Sequence, residues 1–283
     1  MSNSSLSKNF ICSPSRLKNF KKNNSCFLPN ELETISQSLN INIQNTSDKK
    51  DTIKKLSNNK CTDEACLIKI DHLQEHLKHI FKPKKPNSWY NNKKEWLSNQ
   101  DIEIVLEQYN SSDFSFIGVF PINFAERIND QCVSNKICNV PRLLDQLFKE
   151  KKKCFGIVFN LDRHDQSGSH WVSMFCSIDP SSSMYGIFYY DSIAMKPRQE
   201  FINFMREVNM YILQHQKTKR KFRVQYNKVR KQFKNTECGV YSIVCIIMCL
   251  ENMKKKKFKH ICKSMYHDDL MNELRDILFI SLI

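Results

Sequence analysis

No apolar run in this 283-residue chain is long enough to cross a bilayer; the longest, around Cys238 to Leu250, falls short of the ~20 residues that a membrane helix needs. No N-terminal signal peptide is apparent either, so the twelve cysteines are expected as free thiols in a reducing compartment. Acidic charge is the other shortage. Against 44 Lys and Arg stand 29 Asp and Glu, a net +15, which implies attraction to nucleic acid, an anionic surface or an acidic protein. Charged residues at 26% and hydrophobic residues at 41% exclude a largely disordered chain. The length suits one substantial core, or one main domain with a smaller appendage.

Residues 1–95 hold 17 basic and 9 acidic residues, a net of +8, and their first sixty are rich in Asn, Ser and Lys. Short helices are expected between Pro29 and Leu39 and around Leu56. Asp63 is placed to cap a helix running to Phe81, in which Leu67, Ile70, Leu73, Leu77 and Ile80 recur at helical spacing. Lys82–Ser88, with Pro83 and Pro86, reads as a linker. The expected division is a basic, mainly helical arm over 1–85 and a catalytic domain over 90–283.

Beyond the linker the pattern changes. Ser98 or Asn99 caps a helix through Tyr109, and helices are predicted over Pro141–Phe148, Gln199–Gln214 and Cys238–Met253. Asp268 or Asp269 starts a last helix whose apolar stripe is Leu270, Leu274, Ile277 and Leu278. Aromatic and β-branched residues mark strands at Phe114–Phe120, Cys154–Asn160, Trp171–Ile178, Met184–Tyr190 and Phe222–Tyr226. Helices enclosing a central sheet give an α+β fold.

Asn235-Thr-Glu-Cys-Gly-Val-Tyr-Ser242 sets Cys238 between a polar approach and an apolar helix, the setting of a nucleophile at a buried helix start. His170 precedes one strand and Asp191 ends the next. If the two strands form an antiparallel hairpin, turned at Pro180–Ser183, both residues lie at one sheet edge. A helix N-terminus and an imidazolium both stabilise thiolate. His170 then serves as base and as proton donor to the leaving amine, while Asp191 fixes its ring. Gln232, six residues before Cys238, is placed to donate to an oxyanion alongside the Cys238 backbone N–H. Gly239 permits close approach at the helix start. A lone cysteine beside an apolar helix most often serves packing; four polar residues in compatible order favour chemistry.

Trp96-Leu97, Gly168-Ser-His-Trp171, Tyr189-Tyr-Asp-Ser192 and Gln232-Phe-Lys-Asn-Thr-Glu-Cys-Gly239 together resemble the cysteine proteases that include adenovirus maturation (adenain) and SUMO-processing enzymes. The Thr-Glu-Cys-Gly signature, the basic character and the leading region, including the Cys61–Cys66 neighbourhood, are most similar to the African swine fever virus-type maturation proteases of large DNA viruses. The resemblance covers the chain from about residue 96 onward. It implies an adenain/SUMO-protease-like α+β fold, a central mixed sheet flanked by helices with an N-terminal mainly helical extension. It also implies peptide hydrolysis by Cys238, His170, Asp191 and Gln232, with Trp96, Trp171 and Gly239 along a narrow substrate channel. The African swine fever virus-type enzyme has asparagine where Asp191 stands; either side chain accepts from an imidazole N–H.

The substrates so implied are viral structural polyprotein precursors with Gly-Gly-type sites, cut in the virion and at assembly sites in the host cytoplasm. The alternatives are a SUMO or ubiquitin-like deconjugase, and a basic nucleic-acid-binding or scaffold protein on an inactive protease fold. Gln214–Lys234 has nine Lys or Arg and no acidic residue, and Lys254–Lys257 with Lys259 adds a second basic run; DNA or an acidic protein is the expected partner of 217–234 and 254–259. No cofactor is expected. His72, His76 and His79 with Cys61 and Cys66 raise zinc, but their spacing matches no strong signature, and no metal is expected.

Overall fold

A computed structural model describes residues 10–43 and 48–281. The remaining positions of the expected 1–85 arm lie outside the described residues. Two compact units emerge, 1–87 with 275–283, and 88–274.

Among its described residues up to 87 the first unit carries five short helices: α1 (Leu17–Asn23), α2 (Glu31–Ser38), α3 (Lys49–Leu56), α4 (Glu64–Leu67) and α5 (Gln74–Leu77). Asp63 caps α4 by accepting from Cys66 N, as its position predicts. The expected helix to Phe81 is broken, however. Ile70 is extended (φ −91°, ψ 112°), and the Gln74 side chain donates to the Ile68 and Ile70 carbonyls at 2.8 and 2.9 Å, taking up acceptors a helix would have used. Leu67, Ile70, Leu73, Leu77 and Ile80 still face one core, because short turns keep nearly the same inward spacing. Lys82–Lys85 is no free linker. Lys82 N donates to Ile11 O, Lys85 N to Ile280 O, and Pro83, which has no N–H to give, accepts from Ile280 N.

Disulfides correct the expectation of twelve free thiols. Cys12–Cys26, Cys61–Cys66 and Cys132–Cys138 are bonded; Cys154, Cys176, Cys238, Cys245, Cys249 and Cys262 are free and buried. The bond between Cys61 and Cys66 removes the thiolates that the zinc reading needed, and His72 Nε2 instead meets the Leu56 carbonyl at 3.0 Å.

The second unit opens with α6 (Asn99–Leu106), started by a capping box in which Ser98 Oγ accepts from Asp101 N and Asp101 Oδ2 accepts from Ser98 N. There follow β1 (Phe114–Pro121), the hairpin of β2 (Arg127–Ile128) and β3 (Gln131–Cys132), α7 (Val140–Lys149), β4 (Cys154–Asn160), β5 (Trp171–Ser177), β6 (Gly186–Tyr190), α8 (Gln199–His215), β7 (Arg223–Tyr226), α9 (Cys238–Asn252), α10 (Phe258–Ser264) and the start of α11 (Asp268–Leu278), whose residues from Arg275 onward belong to the first unit. The five-stranded sheet has the order β1-β4-β5-β6-β7; β4, β5 and β6 pair antiparallel, while β1 and β7 join parallel at the two edges. It is the mixed sheet flanked by helices that the sequence led us to expect.

Alternation along β4 divides its faces. Phe155, Ile157 and Phe159 share a core with Leu143, Leu144 and Leu147 of α7 and Phe201, Phe204 and Val208 of α8. Each such side chain contributes roughly 1.5–3 kcal/mol when fully buried. The other face receives α9, apolar nearly all round and buried from Cys238 to Ile247, which packs on β5 and β4. This explains why the strands read as continuous apolar runs instead of alternating ones. Along α11, Met271 is buried while Leu270 is 39% exposed, so the predicted stripe begins one residue later.

Candidate active site

The β5–β6 hairpin pairs Ser173 with Tyr190 and Phe175 with Phe188. That register brings the residue before β5 beside the residue after β6. His170 Nε2 lies 2.8 Å from Asp191 Oδ1, with Asp191 fully buried. Asp191 Oδ1 also accepts from Ile193 N at 2.9 Å. Asn227, just past β7, clamps the Asp191 backbone: its Oδ1 accepts from Asp191 N at 2.8 Å and its Nδ2 donates to Asp191 O at 2.6 Å.

With Nε2 committed to Asp191, the other imidazole nitrogen is left for Cys238, which is near enough to help raise the His170 pKa. Burial disfavours the His170 charge, but hydrogen bonds and charge from Asp191 and Cys238 outweigh it, and its pKa is raised to about 9. Cys238 opens α9, whose Glu237 N-cap makes no side-chain cap, so the first-turn N–H groups point outward with the positive end of the helix dipole. Burial pushes Cys154 up to about 12 and lifts Cys176, Cys245 and Cys262 far above the ordinary thiol range, which keeps them protonated and inert.

Gln232 is buried. Its Oε1 accepts from Ser192 Oγ, its N–H donates to Ser192 O at 3.0 Å, and its Nε2 donates to Lys234 O at 2.8 Å, which leaves one amide hydrogen. The segment is anchored from beyond. Asp268 Oδ2 accepts from Phe233 N and Lys234 N at 2.8 and 2.9 Å, and the Tyr241 hydroxyl donates within a cluster formed by Lys231 O, Tyr266 O and Asp268 Oδ1. Asn227 and Asp268 carried no functional signal in sequence, and Ser192 and Tyr241 stood inside motifs without a role of their own; their common property is a partner ten to forty residues away.

A cleft of about 440 Å³ is lined by Trp96, Leu97, Asn160, Ser167, Gly168 and Trp171, among others. Trp96 is 43% exposed; Trp171 is buried, and its indole N–H donates to Leu97 O at 3.0 Å. Gly239 is not among the cleft residues. A Cβ there would come within 2.9 Å of the Leu97 side chain, so it is Leu97 that needs the glycine.

A buried thiol at a helix start, an imidazole on the neighbouring strand edge and a carboxylate behind it make up the set of groups a cysteine protease needs, here carried on an α+β sheet. The crystal structure of a protease from African swine fever virus has the same fold, with a TM-score of 0.67 at 20% identity over 99% of this chain and 98% of that one. Residues 123–278 match the Ulp1 protease family, C-terminal catalytic domain, and the chain belongs to that family of thiol proteases. Two similar proteins come from viruses. The putative thiol protease R355 of Acanthamoeba polyphaga mimivirus is 26% identical over 303 residues, covering 95% of this chain and 93% of that protein. A SUMO-1 cysteine protease of African swine fever virus is 30% identical over 131 residues, 46% of this chain and 45% of that protein. Among the described residues no helix is long and apolar enough to cross a membrane.

Proposed function

We propose that this chain is the endopeptidase that cuts viral structural polyprotein precursors at Gly-Gly-type sites during virion maturation, acting in the virion and at assembly sites in the host cytoplasm. The observation that carries it is the 2.8 Å His170–Asp191 contact, with Cys238 near enough to act on the same imidazole. Cys238 Sγ attacks the scissile carbonyl, and the C–N bond breaks as His170 gives its proton to the leaving amine. Water, deprotonated by His170, then hydrolyses the thioester. Asp191 holds the ring, while Gln232 Nε2 and the Cys238 backbone N–H receive the oxyanion. Trp96 and Trp171 confine the substrate backbone, so that side chains beside the scissile bond clash and glycine fits. Gly239 shapes the site through Leu97.

Catalysis belongs to the 90–283 span in this reading, and the basic 1–85 arm holds substrate. The basic stretches 217–234 and 254–259 attract acidic protein or DNA, which predicts binding that weakens steeply as salt rises.

Cleavage of a Gly-Gly-containing precursor is expected from the native chain and is abolished in Cys238→Ala with folding intact; turnover by that variant sinks the assignment. The name of the African swine fever virus relative favours a second reading, removal of SUMO-like modifiers. Efficient cutting of a folded modifier fusion but not of a short Gly-Gly peptide selects it.

A further inference from the structure

Asn160 ends β4 opposite Trp171, at the base of the loop that carries His170. Its Oδ1 accepts from Asp162 N at 2.9 Å and from Ser169 N at 3.3 Å, so one side-chain oxygen ties both ends of the intervening loop. Leu161 N donates to His170 O at 2.9 Å and closes the same base. Two N–H groups aimed at one atom fix the amide's orientation, since a flipped NH2 would face two donors. Nδ2 is therefore held on the other side. There it faces Gly168, where φ is +94° and a Cβ would lie 2.5 Å from Nδ2. Asn160 and Gly168 line the Trp96–Trp171 cleft together, and among the described residues no acceptor engages Nδ2.

We propose that Asn160 is a substrate-binding residue: its Nδ2 donates to a backbone carbonyl of an extended peptide lying in this cleft. The assignment deepens the protease reading and rests on the cleft being that enzyme's substrate channel. It accounts for the bare backbone at Gly168, because any side chain there would cover the donor. It also gives the cleft a means of gripping a glycine-rich segment, which offers carbonyls and no side chains. Asn160 couples that grip to chemistry, since the loop it anchors leads directly into His170.

Asn160→Asp tests this, because one carboxylate oxygen still accepts from Asp162 N and Ser169 N while the donor becomes an acceptor facing the substrate carbonyl. With a fluorogenic Gly-Gly peptide, kcat/KM is expected to fall roughly 10- to 100-fold, the effect of an unmet buried hydrogen bond. The loss should persist across the whole pH profile, which separates it from any shift the new carboxylate imposes on His170. Asn160→Ala should lose activity and also melt earlier, because the loop ties go too. Unchanged kcat/KM in a folded Asn160→Asp variant overturns the proposal. A second measurement needs no change at Asn160: in ¹⁵N-labelled Cys238→Ala protein, its side-chain amide resonance should shift as the same peptide saturates the cleft. An amide that stays in place while other cleft resonances shift also overturns the proposal. Cleavage by Cys238→Ala would defeat the nucleophile assignment alone, so the two failures are distinct.

Discussion

Replacing Asp191 with Asn removes a charge while keeping two hydrogen bonds. Asp191 Oδ1 accepts from His170 Nε2 at 2.8 Å and Ile193 N at 2.9 Å, and an Asn oxygen can keep both. The new NH2 falls at Oδ2, which is buried and has no hydrogen-bond partner among the described residues. That donor costs about 1–3 kcal/mol at any pH. The charge acts on His170, where burial is overcome by Asp191 and Cys238 to place the pKa at about 9. Losing a contacting opposite charge lowers a pKa by about 1–3 units, or about 1.4–4 kcal/mol of imidazolium stabilisation. His170 has a raised folded pKa, so its contribution is fully present below its unfolded value of 6.5 and is lost as pH rises through about 9. The Asn variant should therefore lag most below 6.5 and retain only the pH-independent deficit above 9. NMR titration of the His170 ring in Cys238→Ala and Cys238→Ala/Asp191→Asn, with urea melts at both pH extremes, measures the two quantities. The same background in both arms cancels the missing thiol. A ring pKa unmoved by the substitution, or a stability deficit independent of pH, refutes the reasoning.

Gly239→Ala brings a methyl to within 2.9 Å of the Leu97 side chain; a cost of about 1–3 kcal/mol is expected in thermal melts, with lower kcat/KM as the start of α9 shifts. Tyr241→Phe removes the hydroxyl that meets Lys231 O, Tyr266 O and Asp268 Oδ1. About 1–3 kcal/mol should be lost in denaturant melts, and catalysis should weaken as the Gln232 segment loosens. The Cys12→Ala/Cys26→Ala pair opens a bridge of sequence separation 14; about 3 kcal/mol of stability should go, and peptide mapping without reductant should find the bond in the native chain.

Residue types and spacing carried the second unit a long way. The apolar runs at 154–160, 171–178 and 184–190 became β4, β5 and β6, and the break between the last two is a hairpin because Pro180–Ser183 cannot continue a strand. Hairpin connectivity by itself then brings His170 to Asp191, a local consequence needing no distant partner. The first unit was harder to read. Leu67 to Ile80 follow a helical period, yet Gln74 diverts the carbonyls of Ile68 and Ile70, and a hydrophobic period cannot report which acceptors a side chain will take. The cysteines misled for a similar reason. The expected compartment carries no information on bonding, which depends on which sulfurs the fold brings together, as with Cys12 and Cys26.

Sequence alone determined the thiol, imidazole and carboxylate and the strand edge that unites the last two, because adjacent strands joined by a short turn have only one antiparallel way to meet. Tertiary structure alone decided what holds them. Asn227 on Asp191, Asp268 and Tyr241 behind Gln232, Leu97 against Gly239, and Asn160 across the His170 loop are ordinary polar and apolar residues in one dimension. Their roles come from directional bonds and close contacts whose partners only the folded chain supplies.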